Sequence, residues 1–187
     1  MRRFSTLIPV VIIGLFMFAR SVKAAQSYAP PLHTGDVFPQ ISGETLTSKS
    51  LTLPATAVDK AAVLVFSFTR KAGQDAHSWN EHLFKDFPNA IPIYGVIELE
   101  SAPKLFRGMA IAGIKSSMPL SEQDRNIVLY QNEKLWKRRL AVSNESRAYV
   151  VFLGSDAHIE WMNSGAFTDA EYARLKSHIS GLLQSHP

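Results

Sequence analysis

The sequence predicts an α/β domain built as a central mixed sheet flanked by helices. Three observations predict it. Apolar β-rich runs at Ala61–Phe68 and Ile91–Leu99 are joined by a segment with a helical apolar stripe, the strand-helix-strand order of a parallel crossover. A later pair of runs, "AYVVFL" and "AHIEWM", meets across Gly154-Ser155-Asp156 as an antiparallel hairpin. The chain then closes on an amphipathic helix that begins with a capping pattern.

The elements follow in order. Met1-Arg2-Arg3, the apolar run Leu7–Ala19 and the small-residue site Val22-Lys23-Ala24 have the layout of a secretory signal, residues 1–24. Thirteen apolar residues are short for a bilayer span, so cleavage near Ala24 and export to a periplasmic or secreted location are expected. Residues 25–60 form a Pro-containing lead and an edge hairpin in which Leu46, Leu51 and Leu53 alternate with polar residues up to Pro54. Residues 61–187 form the core.

Within that core, the strand Ala61–Phe68 reads as buried on both faces. Asp75 is placed to cap the next helix, where Ala76, Trp79, Leu83 and Phe87 recur at helical spacing before Pro88 ends it. After the second strand, Ala102–Ile114 sets Leu105, Met109 and Gly113 along one side of another helix. Ile127–Tyr130 is a short strand, and Asn132–Leu140 a short basic helix turning Leu135, Trp136 and Leu140 inward. The closing helix starts at Thr168-Asp169-Ala170-Glu171 and buries Tyr172, Leu175, Ile179 and Leu182.

Charge and cysteine count exclude several functions. Arg2, Arg3, Arg20 and Lys23 lie in the leader, and no acid does, so the mature chain carries 16 basic and 16 acidic residues. That balance gives no reason to expect a nucleic-acid partner, and it leaves membrane contact to the N-terminal segment if that segment is retained. With no cysteine in the chain, disulfide exchange, peroxidatic thiolate chemistry and thiolate metal binding are impossible. No cofactor and no metal site are expected.

The element order resembles the thioredoxin fold, and in particular its redoxin branch of thiol-disulfide exporters and peroxiredoxins. Gly35-Asp36-Val37-Phe38-Pro39 before the first buried strand and the turn at Gly154-Ser155-Asp156 carry this resemblance over Leu32–Leu183. The chain departs from that pattern where it matters chemically: Thr69–Asp75 has no cysteine, and Ser143–Arg147 lacks the proline that thioredoxins place before the corresponding strand. "YVVFLGSDAHIEWMNSGAFTDAEYARL", with Trp161, Gly165 and Glu171, is similar to the end of the mitochondrial ATP synthase membrane-sector assembly family. That second resemblance implies a thioredoxin-like chaperone or assembly factor with a protein partner.

Candidate binding residues cluster after the first strand: Arg70, Lys71, Asp75 and His77. Arg70 and Lys71 beside a helix N-terminus could receive a partner's carboxylate or phosphate, or could be a solvated loop. His77 with Glu81, and His82 with Asp86, have the spacing of helix-surface pairs and lack a third ligand for a metal. The basic run Lys134–Arg139 reads as a solvated face with Trp136 inward. Two function classes remain: a non-redox binding or assembly protein that uses the former redox face, and a cysteine-independent enzyme built from Arg70, Lys71, Asp75 and His77. A retained leader would make it an envelope-anchored structural protein.

Overall fold

A computed structural model describes residues 29–57, 60–163 and 165–185. The leader, residues 1–24, lies outside the described residues, and with it the expectations of cleavage and export. The chain divides into Met1–Pro30 and Pro31–Pro187, and the fold described is that of the second unit.

Seven strands form one sheet in the order β2-β1-β5-β4-β3-β6-β7. They are β1 (Ile41–Thr45), β2 (Ser50–Leu53), β3 (Ala62–Ser67), β4 (Ile93–Glu98), β5 (Asn126–Leu129), β6 (Tyr149–Leu153) and β7 (Ile159–Asn163). β3, β4 and β5 are parallel neighbours, while β1–β2, β1–β5, β3–β6 and β6–β7 are antiparallel. The helices are α1 (Arg70–Asp86), α2 (Lys104–Ser116), α3 (Leu120–Gln123), α4 (Glu133–Arg139) and α5 (Asp169–Ser185). The expected parallel crossover from β3 to β4 and both hairpins are present, and a second parallel crossover joins β4 to β5. The first hairpin is hydrogen-bonded into the sheet, where Glu44 and Thr45 pair with Val128 and Ile127.

All six residues of β3 are buried, as a strand with covered faces requires. Side chains alternate across a strand, so Leu64 and Phe66 enter one core layer, while Val63 and Val65 enter the other. In the first layer Phe38 stacks on Trp136 at 5.8 Å between ring centroids, with Leu140, Tyr149 and Val151 around them. The Gly35–Pro39 segment delivers Phe38: Gly35, at φ +92°, takes a left-handed conformation that suits glycine, and its N–H donates to Ile159 O. In the second layer Trp79 and Leu83 of α1 meet Trp161 of β7 and Leu175 and Ile179 of α5.

Gly95 in the middle of β4 is required for packing, because a Cβ there would run into the Asn126 side chain on β5. The closing helix begins as expected, with Thr168 Oγ1 accepting from Glu171 N at 3.2 Å. α2 departs from the rest of the fold. None of its residues is buried, and the side bearing Leu105 and Met109 faces solvent.

Candidate functional site

The chain enters α1 at the C-terminal end of β3, at the edge of a parallel strand where α/β folds commonly place their chemistry. Thr69, not Asp75, caps this helix. Its Oγ1 accepts from Ala72 N at 3.1 Å, and its backbone is extended. The helix therefore starts at Arg70, and what the sequence suggested to be a loop is its first turn. Arg70 and Lys71 are exposed there, and neither forms an ion pair among the described residues.

Asp75 serves a different purpose. One carboxylate oxygen accepts from Ala148 N at 2.8 Å and the other from Phe167 N at 3.0 Å. It thus ties α1 to the entry of β6 and to the approach to α5. His77 lies on the outer face, 3.5 Å from Glu81, with both side chains about two-thirds exposed, which is the surface pair its spacing suggested. His82 and Asp86 do not pair with each other. His82 Nδ1 contacts Ser78 O, whereas Asp86 accepts from the Tyr172 hydroxyl at 2.7 Å and Lys176 Nζ at 2.8 Å. Those two hydrogen bonds, Lys176 first, hold the Asp86 carboxyl below its ordinary range. The four residues proposed from sequence do not converge on a common point. Asp75 is committed to backbone amides and His77 to solvent, so they make no nucleophile–base arrangement.

The segment opposite, before β6, is closed on itself. Tyr149, 1 % exposed, accepts from Ser143 N and Asn144 N at 3.0 Å each through its hydroxyl, while its ring packs edge-on against Phe68. Thr69 Oγ1 donates to Glu145 O at 2.7 Å, joining this segment directly to the start of α1. Lys137 of α4 reaches both Glu133 and Glu145, at 2.5 and 2.6 Å, and sits 5.8 Å above the Phe68 ring. Burial opposes ionisation of Glu133, but Lys137 and Ser101 outweigh it and hold that carboxyl low. A cleft of about 260 Å³ lies elsewhere, lined by residues such as Pro54, Ala57, Lys60, Leu153 and Asp156, at the opposite end of β3.

Beyond this junction α2 presents what the sequence reading did not assign to a site. Leu105, Phe106 and Met109 are 87, 52 and 66 % exposed, and Gly108, Ala112 and Gly113 are exposed among them. A Cβ added at Gly108 or Gly113 would meet nothing. Lys104, Arg107 and Lys115 are the only charged residues on the helix, and Arg107 is anchored to Glu100 O and Ala102 O and lies over the Tyr130 ring. The apolar spacing was visible in the sequence, but which way it faces is set by the tertiary fold. A second group the sequence did not reveal joins Glu98, Glu100 and Glu133, because β4 and β5 are adjacent and their C-terminal ends meet.

The fold and the cysteine-free junction define the class: a thioredoxin-like domain without thiol chemistry. Solved structures of similar fold include the thioredoxin domain of a thiol-disulfide oxidoreductase from Bacteroides vulgatus, at 18 % identity and TM-score 0.57, covering 79 % of this chain and 99 % of that one. A thiol:disulfide interchange protein from Bacteroides sp. shares 19 % identity at TM-score 0.56, covering 83 % and 95 %. An exposed lipoprotein thioredoxin from Streptococcus pneumoniae shares 10 % at TM-score 0.56, covering 77 % and 100 %. These likenesses show the fold alone. The family model for ATP10 protein matches residues 29–182, and the chain belongs to that family. No curated protein matches the sequence. Family and fold together support an assembly or binding role.

Proposed function

We propose that this protein is an exported, non-redox assembly factor that holds an apolar helical segment of a client protein against the exposed face of α2. The observation that carries the reading is α2 itself, a helix with no buried residue and with Leu105, Phe106 and Met109 turned to solvent. Contiguous exposed apolar surface of this kind is characteristic of interaction sites. The occupant follows from the shape of the face. Gly108 and Ala112, four residues apart and both exposed, let a second helix approach closely, while the large side chains beside them supply contact area. The resemblance to assembly factors of an ATP synthase membrane sector fits a client of this apolar kind.

The magnitudes favour transient holding. Covering the three large side chains contributes roughly 2 kcal/mol each. Lost translational and rotational freedom offsets about 4 kcal/mol or more of that gain. A weak, releasable complex results, which suits a protein that hands its client on. The rival reading, an enzyme using Arg70, Lys71, Asp75 and His77, has no converging geometry to support it.

The test uses the full chain and a biotinylated Leu/Ala helical peptide of about 20 residues in detergent micelles. Capture above that by empty micelles, lost in Leu105→Ser/Phe106→Ser/Met109→Ser, is the expected result. Equal binding to empty micelles would mean a lipid surface instead. Self-association abolished by the same substitutions would mean a second copy, and either outcome overturns the client reading. Export is tested separately by cell fractionation with N-terminal sequencing: recovery in the envelope or outside the cell supports it, recovery in the cytoplasm alone overturns it, and a start near Ala25 distinguishes a cleaved chain from an anchored one.

A further inference from the structure

Three carboxylates gather at the C-terminal ends of β4 and β5. One oxygen from each of Glu98, Glu100 and Glu133 lies within 4.8 Å of the others, although Glu133 is more than thirty residues distant in sequence. The backbone holds them there. Glu100 N donates to Glu98 Oε1 at 3.0 Å, Glu133 N donates to Glu100 Oε2 at 2.7 Å, and Ser101 donates from both its N–H and its hydroxyl to Glu133 Oε2. Such a mesh fixes donor oxygens in place, as a preorganised site needs, but it would also arise in a merely hydrogen-bonded turn.

A second observation separates these cases. Glu98 is 5 % exposed, and its other oxygen, Oε2, is buried with no hydrogen-bond partner. A buried carboxylate oxygen without a partner is costly, and interiors rarely leave one so. Protein cations do not complete the group. Lys137 contacts Glu133 Oε1 and is shared with Glu145, while the Arg107 guanidinium is spent on the carbonyls of Glu100 and Ala102.

We propose that Glu98, Glu100 and Glu133 bind a hard divalent cation of the calcium or magnesium class. All-oxygen carboxylate donors select such ions over softer metals, which favour nitrogen and sulfur ligands. Lys137 is divided between Glu133 and Glu145, so the three carboxylates, once ionised, leave an excess of negative charge for a divalent ion to neutralise. Glu98 supplies the buried anchor, Glu133 the second fixed oxygen and exposed Glu100 the side open to solvent, through which the ion enters with part of its water shell. Burial first, then the charges of Glu133 and Glu100, push the Glu98 carboxyl up to about 8, against the pull of the Glu100 amide. The site is independent of the apolar face of α2, and neither proposal depends on the other.

The experiment titrates Mn²⁺ alone into the full chain, stripped with EDTA, and reads free Mn²⁺ by electron paramagnetic resonance, with Ca²⁺ and Mg²⁺ added as competitors. A single saturable site per chain, displaced by either competitor, is expected. Glu98→Gln and Glu100→Gln should each weaken it roughly tenfold or more, while Asp169→Asn, on the remote first turn of α5, leaves it unchanged. Circular dichroism confirms folding. Glu100 is exposed, so Glu100→Gln remains decisive even if the buried substitution unfolds the domain. No saturable site at millimolar metal, or a site unaffected by Glu100→Gln, would overturn the proposal.

Discussion

Helices α1 and α2 follow successive parallel strands of one sheet, yet they put their apolar residues to opposite uses. α1 buries Ala72, Ala76, Trp79 and Leu83, is capped by Thr69, and is tied by Asp75 and Asp86 to β6 and α5. α2 buries none of its residues, has no side-chain cap, and shows its leucine, phenylalanine and methionine to water. The start of the first of these helices, Thr69–Asp75, holds no cysteine. It is occupied by structural ties, and the unspent apolar surface belongs to the next helix. The difference teaches that the start of α1 belongs to the framework, while the apolar surface left uncovered lies on α2.

The sharpest way to break this contrast is to remove the anchor of α1. Trp79 is fully buried and touches Trp161, Phe167 and Tyr172. Trp79→Ala should cost about 3–5 kcal/mol through lost burial and a cavity, read as the change in urea unfolding free energy. A loss under about 1 kcal/mol would show that α1 is not the framework helix described.

Asp75 comes next in expected effect. Replacing it with Ala leaves the amides of Ala148 and Phe167 without their charged acceptor, and charge-assisted bonds of this kind contribute about 1.5–3 kcal/mol. Asp75→Ala should therefore destabilise by about 2–3 kcal/mol, while Arg70→Ala/Lys71→Ala, both exposed, should shift the unfolding midpoint hardly at all. Equal effects from the two variants would show that the bonds from Ala148 N and Phe167 N to Asp75 contribute no more than an exposed side chain does.

That position shows where the sequence was readable and where it stopped. The stripe Ala76, Trp79, Leu83, Phe87 follows from helical period, and the β3 run and the Gly154-Ser155-Asp156 turn follow from strand and turn chemistry, so α1, the sheet and the hairpin were legible. The start of α1 was not. Thr69 has no Glu or Gln three residues on to complete a capping box, and Gly73 interrupts the first turns, so Asp75 looked like the better cap. Its true partners are the backbone amides of Ala148 and Phe167, which no local pattern announces. Glu98, Glu100 and Glu133 were hidden for the same reason, since only the parallel pairing of β4 with β5 brings them together. The Leu105/Met109 spacing was visible, but a period says that one side of a helix is apolar and not whether a core covers it.

Asp86 gives a smaller effect with a pH signature. Lys176 and then Tyr172 hold its carboxyl below the ordinary value of 3.8, so the folded state releases the proton more readily than the unfolded chain. The stabilisation is therefore complete above about pH 4 and is lost as pH falls through the lowered folded value. Asp86→Asn should cost about 1 kcal/mol at neutral pH, because the site is partly solvated. It should also flatten the acid limb of the stability curve. An acid limb identical to wild type would mean the α1–α5 tie contributes nothing measurable.

The smallest stability effect is expected where the functional effect is largest. Leu105, Phe106 and Met109 touch solvent more than protein, so Leu105→Ser/Phe106→Ser/Met109→Ser should alter unfolding free energy by no more than about 0.5 kcal/mol per site. Polar replacements could even raise solubility, since they remove an exposed apolar patch. The same triple variant should lose capture of the apolar helical peptide. If it instead unfolds the domain by several kcal/mol, the face of α2 is packed in solution against this chain's own surface, and the division of labour between the two helices fails. Intact stability combined with lost capture would place recognition on α2 and leave α1 the scaffold that holds it.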